Sequence, residues 1–171
     1  LRGASVGVDP NHPSRVVDRW LLNELNKVIS SITKSMEDFK FDETMKEIRS
    51  FAWYILADEY IELAKSRLYG KDEEAKKSAQ QTLYVAIDAL ARLLAPFTPF
   101  FAEEMYSLFH EESVHVQLWP EINEKWKDES AEKDGALIKE IVSAVRRYKS
   151  SNGIPLNAPL KKIEILSKNK D

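Results

Sequence analysis

Apolar residues return at alternating spacings of three and four along most of this chain, and that rhythm restricts the fold to helical packings. Leu22, Leu25, Ile29, Ile32 and Met36 trace one such stripe. An α-helix places these positions on one face, so a first helix is predicted from about Ser14, its cap, to Phe39. Phe41-Asp42 reads as a short break, with Asp42 as N-cap. A second stripe follows at Met45, Ile48, Ala52, Ile55 and Leu63, and another beside it at Trp53, Ala57, Tyr60 and Ala64. A helix apolar on more than one face is expected to be central. Lys65 and Arg67 suit its C-terminal dipole, and Gly70 closes it.

Leu83, Ile87, Leu90 and Leu94 mark a third helix that stops at Pro96. Thr98-Pro99 is an N-cap followed by proline at the first helical position, opening a fourth helix that carries Phe100, Phe101, Met105, Leu108 and Phe109. Residues 110–129 lack a period. An extended piece is expected at Val114-His115-Val116, and a stop at Trp119-Pro120. A fifth helix on Leu137 or Ile138, Ile141, Val145 and Tyr148 ends at Ser151-Asn152-Gly153. Partial alternation from Leu160 to Leu166 predicts a short strand, although no partner strand is evident. The expectation is an all-α fold: a bundle of about five helices with a small C-terminal extended segment. Residues 1–13 read as a connector, 14–129 as the bundle, and 130–171 as a C-terminal helix and tail of the same domain.

Composition narrows the chemistry. Only five of the 171 residues are glycine, which favours helices. There is no cysteine, which excludes disulfides, cysteine-based zinc sites and a thiol nucleophile, and is compatible with the expected cytoplasmic location. No apolar run approaches the roughly 20 residues of a membrane span, so no membrane partner is expected. The first residues, Leu1-Arg2-Gly3-Ala4, include no initiator methionine and no signal-peptide core, and the chain reads as a fragment.

The net charge of −3 by itself counts against nucleic acid, but its distribution is uneven. Residues 111–134 hold eight acids against three lysines, whereas residues 139–171 hold eight basic residues against three acids. A local basic stretch can bind phosphate within an acidic protein.

No catalytic constellation emerges. Phosphate-cradling glycine motifs and the G-x-S-x-G elbow are absent. Glu112-Ser-Val-His115 spells one E-x-x-H, where a di-iron bundle needs two on helices with further glutamates. Asp58 and Glu62 lie one turn apart, but Glu62 is better placed to pair with Lys65 or to position Arg67. No catalytic and no metal-ligating residue is assigned.

Recognition chemistry is more promising. Aromatic and basic side chains together can grip single-stranded nucleic acid by stacking and phosphate contact. Arg19, Trp20, Asn23 and Lys27 fall on one side of the first helix; Arg49 and Trp53 lie along the second, which Lys65 and Arg67 end; Arg146, Arg147, Lys149 and Asn152 cluster near the end of the fifth. These twelve are the candidate RNA contacts. The competing reading puts Trp20, Trp53 and Tyr60 in the core.

The order of several motifs is more specific. It runs Asp18-Arg19-Trp20-Leu21-Leu22, Phe39-Lys40-Phe41-Asp42, Phe51-Ala52-Trp53, and Asp58-Glu59-Tyr60-Ile61-Glu62-Leu63-Ala64-Lys65-Ser66-Arg67. Then come Leu93-Leu94-Ala95-Pro96-Phe97-Thr98-Pro99-Phe100, Glu103-Glu104-Met105-Tyr106, Ser113-Val114-His115 and Trp119-Pro120. From about residue 14 to 165 this resembles the helical anticodon-binding domain of class I aminoacyl-tRNA synthetases of the valine, isoleucine and leucine group, and most of all the valyl branch of archaeal type. Ala57 stands where the family often has cysteine, and the H-I-G-H and K-M-S-K-S sequences of the catalytic domain are absent.

The resemblance implies a tRNA-binding module, without a cofactor of its own. Its parent enzyme would activate valine with ATP and magnesium and transfer it to valine tRNA. Its partners would be that tRNA and the catalytic and editing domains of the same chain. The alternatives are the corresponding domain of an isoleucyl or leucyl enzyme, a helical protein-interaction scaffold without an RNA role, and a catalytic bundle built on Glu112 and His115 or on the carboxylates near Asp58.

Overall fold

The computed structural model describes residue 13, residues 15–155 and residues 158–165. Most of the expected connector, the Ser14 cap and Leu166 fall outside them. Among the described residues, all regular structure is helical. The elements are α1 (Val16–Glu37), α2 (Phe41–Ser50), a π-helical stretch (Phe51–Ile61), α3 (Glu62–Leu68), α4 (Glu73–Leu94), α5 (Pro99–Ser107), 3₁₀ turns at Val114–Val116 and Glu124–Trp126, and α6 (Glu129–Ser151). Because α2, the π-helical stretch and α3 are continuous, the helices form five rods, as the periodicity predicts. The chain divides into two compact units, one up to Ala136 and one from Leu137.

Two extended segments expected from the sequence are not strands. Val114–Val116 is a 3₁₀ turn, with the Ser113 hydroxyl accepting from the His115 amide. Residues 160–165 pair with no strand among the described residues, in keeping with the cost of an unpaired strand. The α2 boundary also differs: its N-cap is Lys40, and Asp42 sits in the first turn, where its carboxylate accepts from Lys46 Nζ at 3.1 Å. Thr98 and Pro99 open α5 as expected, and Gly153 ends α6 at φ 63°.

Local chemistry explains the rods. Asp72 caps α4 by accepting from the Ala75 amide at 3.0 Å. Only three residues separate α1 from α2, so the second rod runs back along the first. The core between them is Leu21, Leu22, Leu25, Ile29 and Ile32 of α1 against Ile48, Phe51, Leu56, Tyr60 and Ala64 of the second rod. α4 closes it with alanines at 79, 86 and 89 and with Leu90 and Leu93. The small side chains let the helices approach closely.

The π-helical register decides which side chains of the second rod face inward. Buried positions there fall at 51, 56, 60 and 64, a spacing wider than the α-helical period. The stripe expected at Trp53 and Ala57 is thereby turned to solvent; Trp53 is 63% exposed. α5 also turns differently from expectation. Ala102 and Tyr106 face inward against Ala91 and Val114, while Phe100, Phe101 and Leu108 point outward.

One polar cluster pins three rods together. Asp18, at the start of α1, has no exposed surface. It accepts from Tyr60 Oη at 2.7 Å, from Ser78 Oγ at 2.6 Å and from both terminal nitrogens of Arg67 at 2.8 and 2.7 Å. Such a two-pronged arginine–carboxylate pair fixes geometry as well as charge. Burial, reinforced by the Asp18 charge, drives the Tyr60 phenol far above the ordinary tyrosine value. The hydrogen bonds to Asp18 hold Arg67 above its own, against the opposing effect of burial.

Candidate nucleic-acid interface

The polar face of α1 serves an internal purpose. Arg19 Nε donates to Asp128 at 2.9 Å. Asn23 Oδ1 accepts from the Asp128 amide at 3.2 Å. Asn26 both donates to the Asn123 carbonyl, at 2.7 Å, and accepts from its amide, at 3.0 Å. Lys27 reaches Glu132 at 2.6 Å and Glu24 at 2.9 Å. Partial burial works against the Lys27 charge, yet the hydrogen bonds to the two carboxylates outweigh it and hold the ammonium above the ordinary lysine value. Together these groups strap residues 123–132 along α1. Asp128, its carboxyl held low by the Ala131 amide and then by Arg19 despite some burial, also caps α6.

Trp20 lies inside this strapped region, 3% exposed, with its indole against the Cα of Gly135. It and Tyr60 are core rings, as the competing reading of the aromatics expects; Trp53 is the exception. Arg67 is committed to Asp18. Lys65 is exposed and pairs with Glu62 one turn earlier. Arg49 and Trp53 are both exposed and one turn apart on the second rod, leaving a cation and a ring on the same open face.

In the second unit, Arg147 is exposed and Arg146 half-buried. Lys149 is only 8% exposed and donates to the Ala158 carbonyl at 2.6 Å, tethering the chain that follows α6. Asn152 donates to the Tyr148 carbonyl at 2.8 Å and so finishes the helix.

Sequence reasoning overlooked Lys125 and Lys127. They flank Trp126 on the strap and, with Pro13, Arg19, Leu22 and Asp128, line a cleft of about 90 Å³. Lys127 pairs with Glu124 at 2.7 Å, while Arg19 spans the cleft wall to Asp128. The K-W-K spacing was the available signal, but it lies in a stretch without a period. Glu112 and His115 build no metal centre: His115 stands 3.9 Å from Glu103, and among the described residues no three His, Cys, Asp or Glu come together to hold an ion. Nor is any described helix long and apolar enough to cross a membrane.

Comparison with known proteins adds a family. Residues 18–165 match the family model described as the anticodon-binding domain of tRNA ligase. The chain is 60% identical over 149 residues to a valine–tRNA ligase of Methanosarcina acetivorans, covering 87% of this chain and 17% of that protein. It is 51% identical over 154 residues to that of Archaeoglobus fulgidus, covering 90% and 18%. For Methanocaldococcus jannaschii the identity is 40% over 162 residues, covering 95% and 18%. The chain thus spans less than a fifth of the length of these relatives.

Proposed function

The chain belongs to the anticodon-binding domain family of tRNA ligases, and from that premise we propose that it holds the anticodon arm of a valine tRNA as one module of a valine–tRNA ligase. The observation that carries this reading is the match over residues 18–165, together with valine–tRNA ligases as relatives at 40–60% identity. In this reading the activation of valine, with ATP and magnesium, and the transfer step belong to the remainder of the parent chain. The enzyme works in the cytoplasm.

Within the module the work divides by exposure. Arg49 and Trp53 offer an open cation and ring, and Lys125, Trp126 and Lys127 offer a second cationic and aromatic site. Arg147 adds a cation in the second unit. Phosphate neutralisation would supply most of the affinity and make it fall with salt, while stacking on the rings and contacts to base edges would supply discrimination. Arg19, Asn23, Lys27 and Arg67 act indirectly, by holding the strap and the rods in place.

The test is binding of valine tRNA across a salt series. Arg49→Ala with Trp53→Ala, Lys125→Ala with Lys127→Ala, and Arg147→Ala are compared with the unaltered chain. Each lost phosphate contact should flatten the salt slope by about 0.7–0.9. Unchanged affinity and slope in all three folded variants would remove these residues from the RNA-binding surface.

A further inference from the structure

Five of the seven phenylalanines of the chain, at 39, 41, 97, 100 and 101, gather where the α1–α2 turn and the α4–α5 turn form one end of the first unit. Phe41 meets Phe39 edge-on at 6.1 Å and Phe97 at 6.4 Å, so the rings bridge the two turns. Phe100 and Phe101 extend the surface along the first turn of α5. Most of it is open: Phe39 is 78% exposed, Phe100 91% and Phe101 60%, while Phe41 is about half exposed and Phe97 packs partly against the core.

The backbone at Phe39 makes the exposure harder to dismiss. Phe39 closes α1 at φ 58°, a conformation that glycine or asparagine adopts at lower cost than an aromatic residue. Its amide is already satisfied by the Met36 carbonyl at 3.1 Å. Turn geometry therefore gives no reason for a phenyl ring there, and among the aromatic rings of the described residues it meets Phe41 alone. A contiguous exposed apolar surface of this kind marks an interaction site.

Charge selects the partner class. Asp38 lies in the α1–α2 turn, Glu37 ends α1, Asp42 and Glu43 stand in the first turn of α2, and Glu104 lies on α5. Lys40 pairs with Glu43 at 3.7 Å and Lys46 with Asp42 at 3.1 Å, and Lys34 stands in the last turn of α1, so five acids face three lysines and the rim is net negative. Such a rim repels phosphate, so these rings are unsuited to RNA, unlike Trp53 beside Arg49. An apolar centre with a charged rim is the anatomy of a protein interface. The relatives carry more than four-fifths of their length outside the matched region.

We infer that this acid-rimmed phenylalanine surface seats the remainder of the same ligase polypeptide, through an apolar patch with a basic rim, and so fixes the RNA-gripping module relative to the rest of the enzyme. The inference rests on the reading of the chain as a module of a tRNA ligase. It concerns side chains other than Arg49 and Trp53, which lie two to three turns further along the second rod, so loss of tRNA binding in their variants would leave it standing.

The test uses the full-length ligase that carries this chain, with the photo-cross-linker benzoylphenylalanine in place of Phe100 and, as control, of the exposed Lys71. The expected result is an intramolecular cross-link from position 100 to a peptide outside this 171-residue segment, in monomeric enzyme without tRNA, at least about tenfold above the control. A cross-link to a second copy, a cross-link formed only when tRNA is added, one confined to this segment, or none above the Lys71 level would each overturn the inference.

Discussion

Replacing Gly135 by alanine reverses the usual sign of a glycine-to-alanine change in a helix. In an open helix interior, alanine is favoured by about 1 kcal/mol. At position 135 the new Cβ would stand 2.2 Å from Cδ1 and 2.5 Å from Cγ of the Trp20 indole. Ordinary contact begins near 3.4 Å, so either the ring or α6 must move by roughly 1 Å in a close-packed interior. Trp20 is 3% exposed and its indole is rigid, which leaves little room to yield. Overpacking of this kind costs about 1–3 kcal/mol. A clash this deep against a rigid ring belongs in the upper part of that range, about 2–3 kcal/mol, so after the propensity gain the net loss should be about 1–2 kcal/mol, or a fall in Tm of roughly 2–8 °C at this size. Urea denaturation followed by far-ultraviolet circular dichroism measures it. In a Trp20→Phe background the smaller ring makes room, and the same alanine should then cost little or stabilise, a coupling that a double-mutant cycle isolates. A Gly135→Ala chain as stable as the parent, or more so, would refute the close packing of α6 on Trp20.

Two further predictions concern the Asp18 cluster. Asp18→Ala leaves the largely buried Arg67 guanidinium without its carboxylate and should cost about 3–5 kcal/mol; adding Arg67→Met should restore part of it in the same denaturation assay, and full additivity of the two changes would contradict the pairing. Tyr60 has a folded-state pKa raised above its ordinary 10.0, so its contribution is fully present below pH 10 and is lost as pH rises beyond it. Stability should therefore fall more steeply above about pH 10 in the parent than in Tyr60→Phe, by up to about 1.4 kcal/mol per pH unit, as measured by denaturation at a series of alkaline pH values; equal slopes would show that the phenol does not titrate against folding.

The rods were legible because stripes such as Leu22, Leu25, Ile29 and Ile32 need only local periodicity, and because Thr98-Pro99 and Asn152-Gly153 carry their own turn chemistry. The facing of side chains was less so. A π-helical register cannot be seen in a pattern read at the α-helical period, so the stripe through Trp53, and with it the competing core reading of that ring, points to the wrong side. The α5 stripe misled for a related reason: Phe100 and Phe101 are apolar yet exposed, and the inward face is built on the small Ala102 and on Tyr106. The polar face of α1 looked like an RNA surface because its partners lie far away in sequence. Asp128 is 109 residues from Arg19 and 105 from Asn23, beyond the reach of any local pattern. The same holds for Arg67, which reads as a helix-end cation and turns out to be the partner of Asp18, 49 residues earlier. The motif order, by contrast, identified the family without needing any of these contacts.

The most direct test of the central claim is binding of this chain to valine tRNA and to the same tRNA with its anticodon replaced, measured by fluorescence anisotropy across a salt series on a sample shown to be helical and monodisperse. Recognition of the anticodon arm requires tighter binding of the native anticodon at every salt concentration, with affinity for both RNAs falling as salt rises. Equal affinity for the two RNAs, or no binding at low salt, would contradict it.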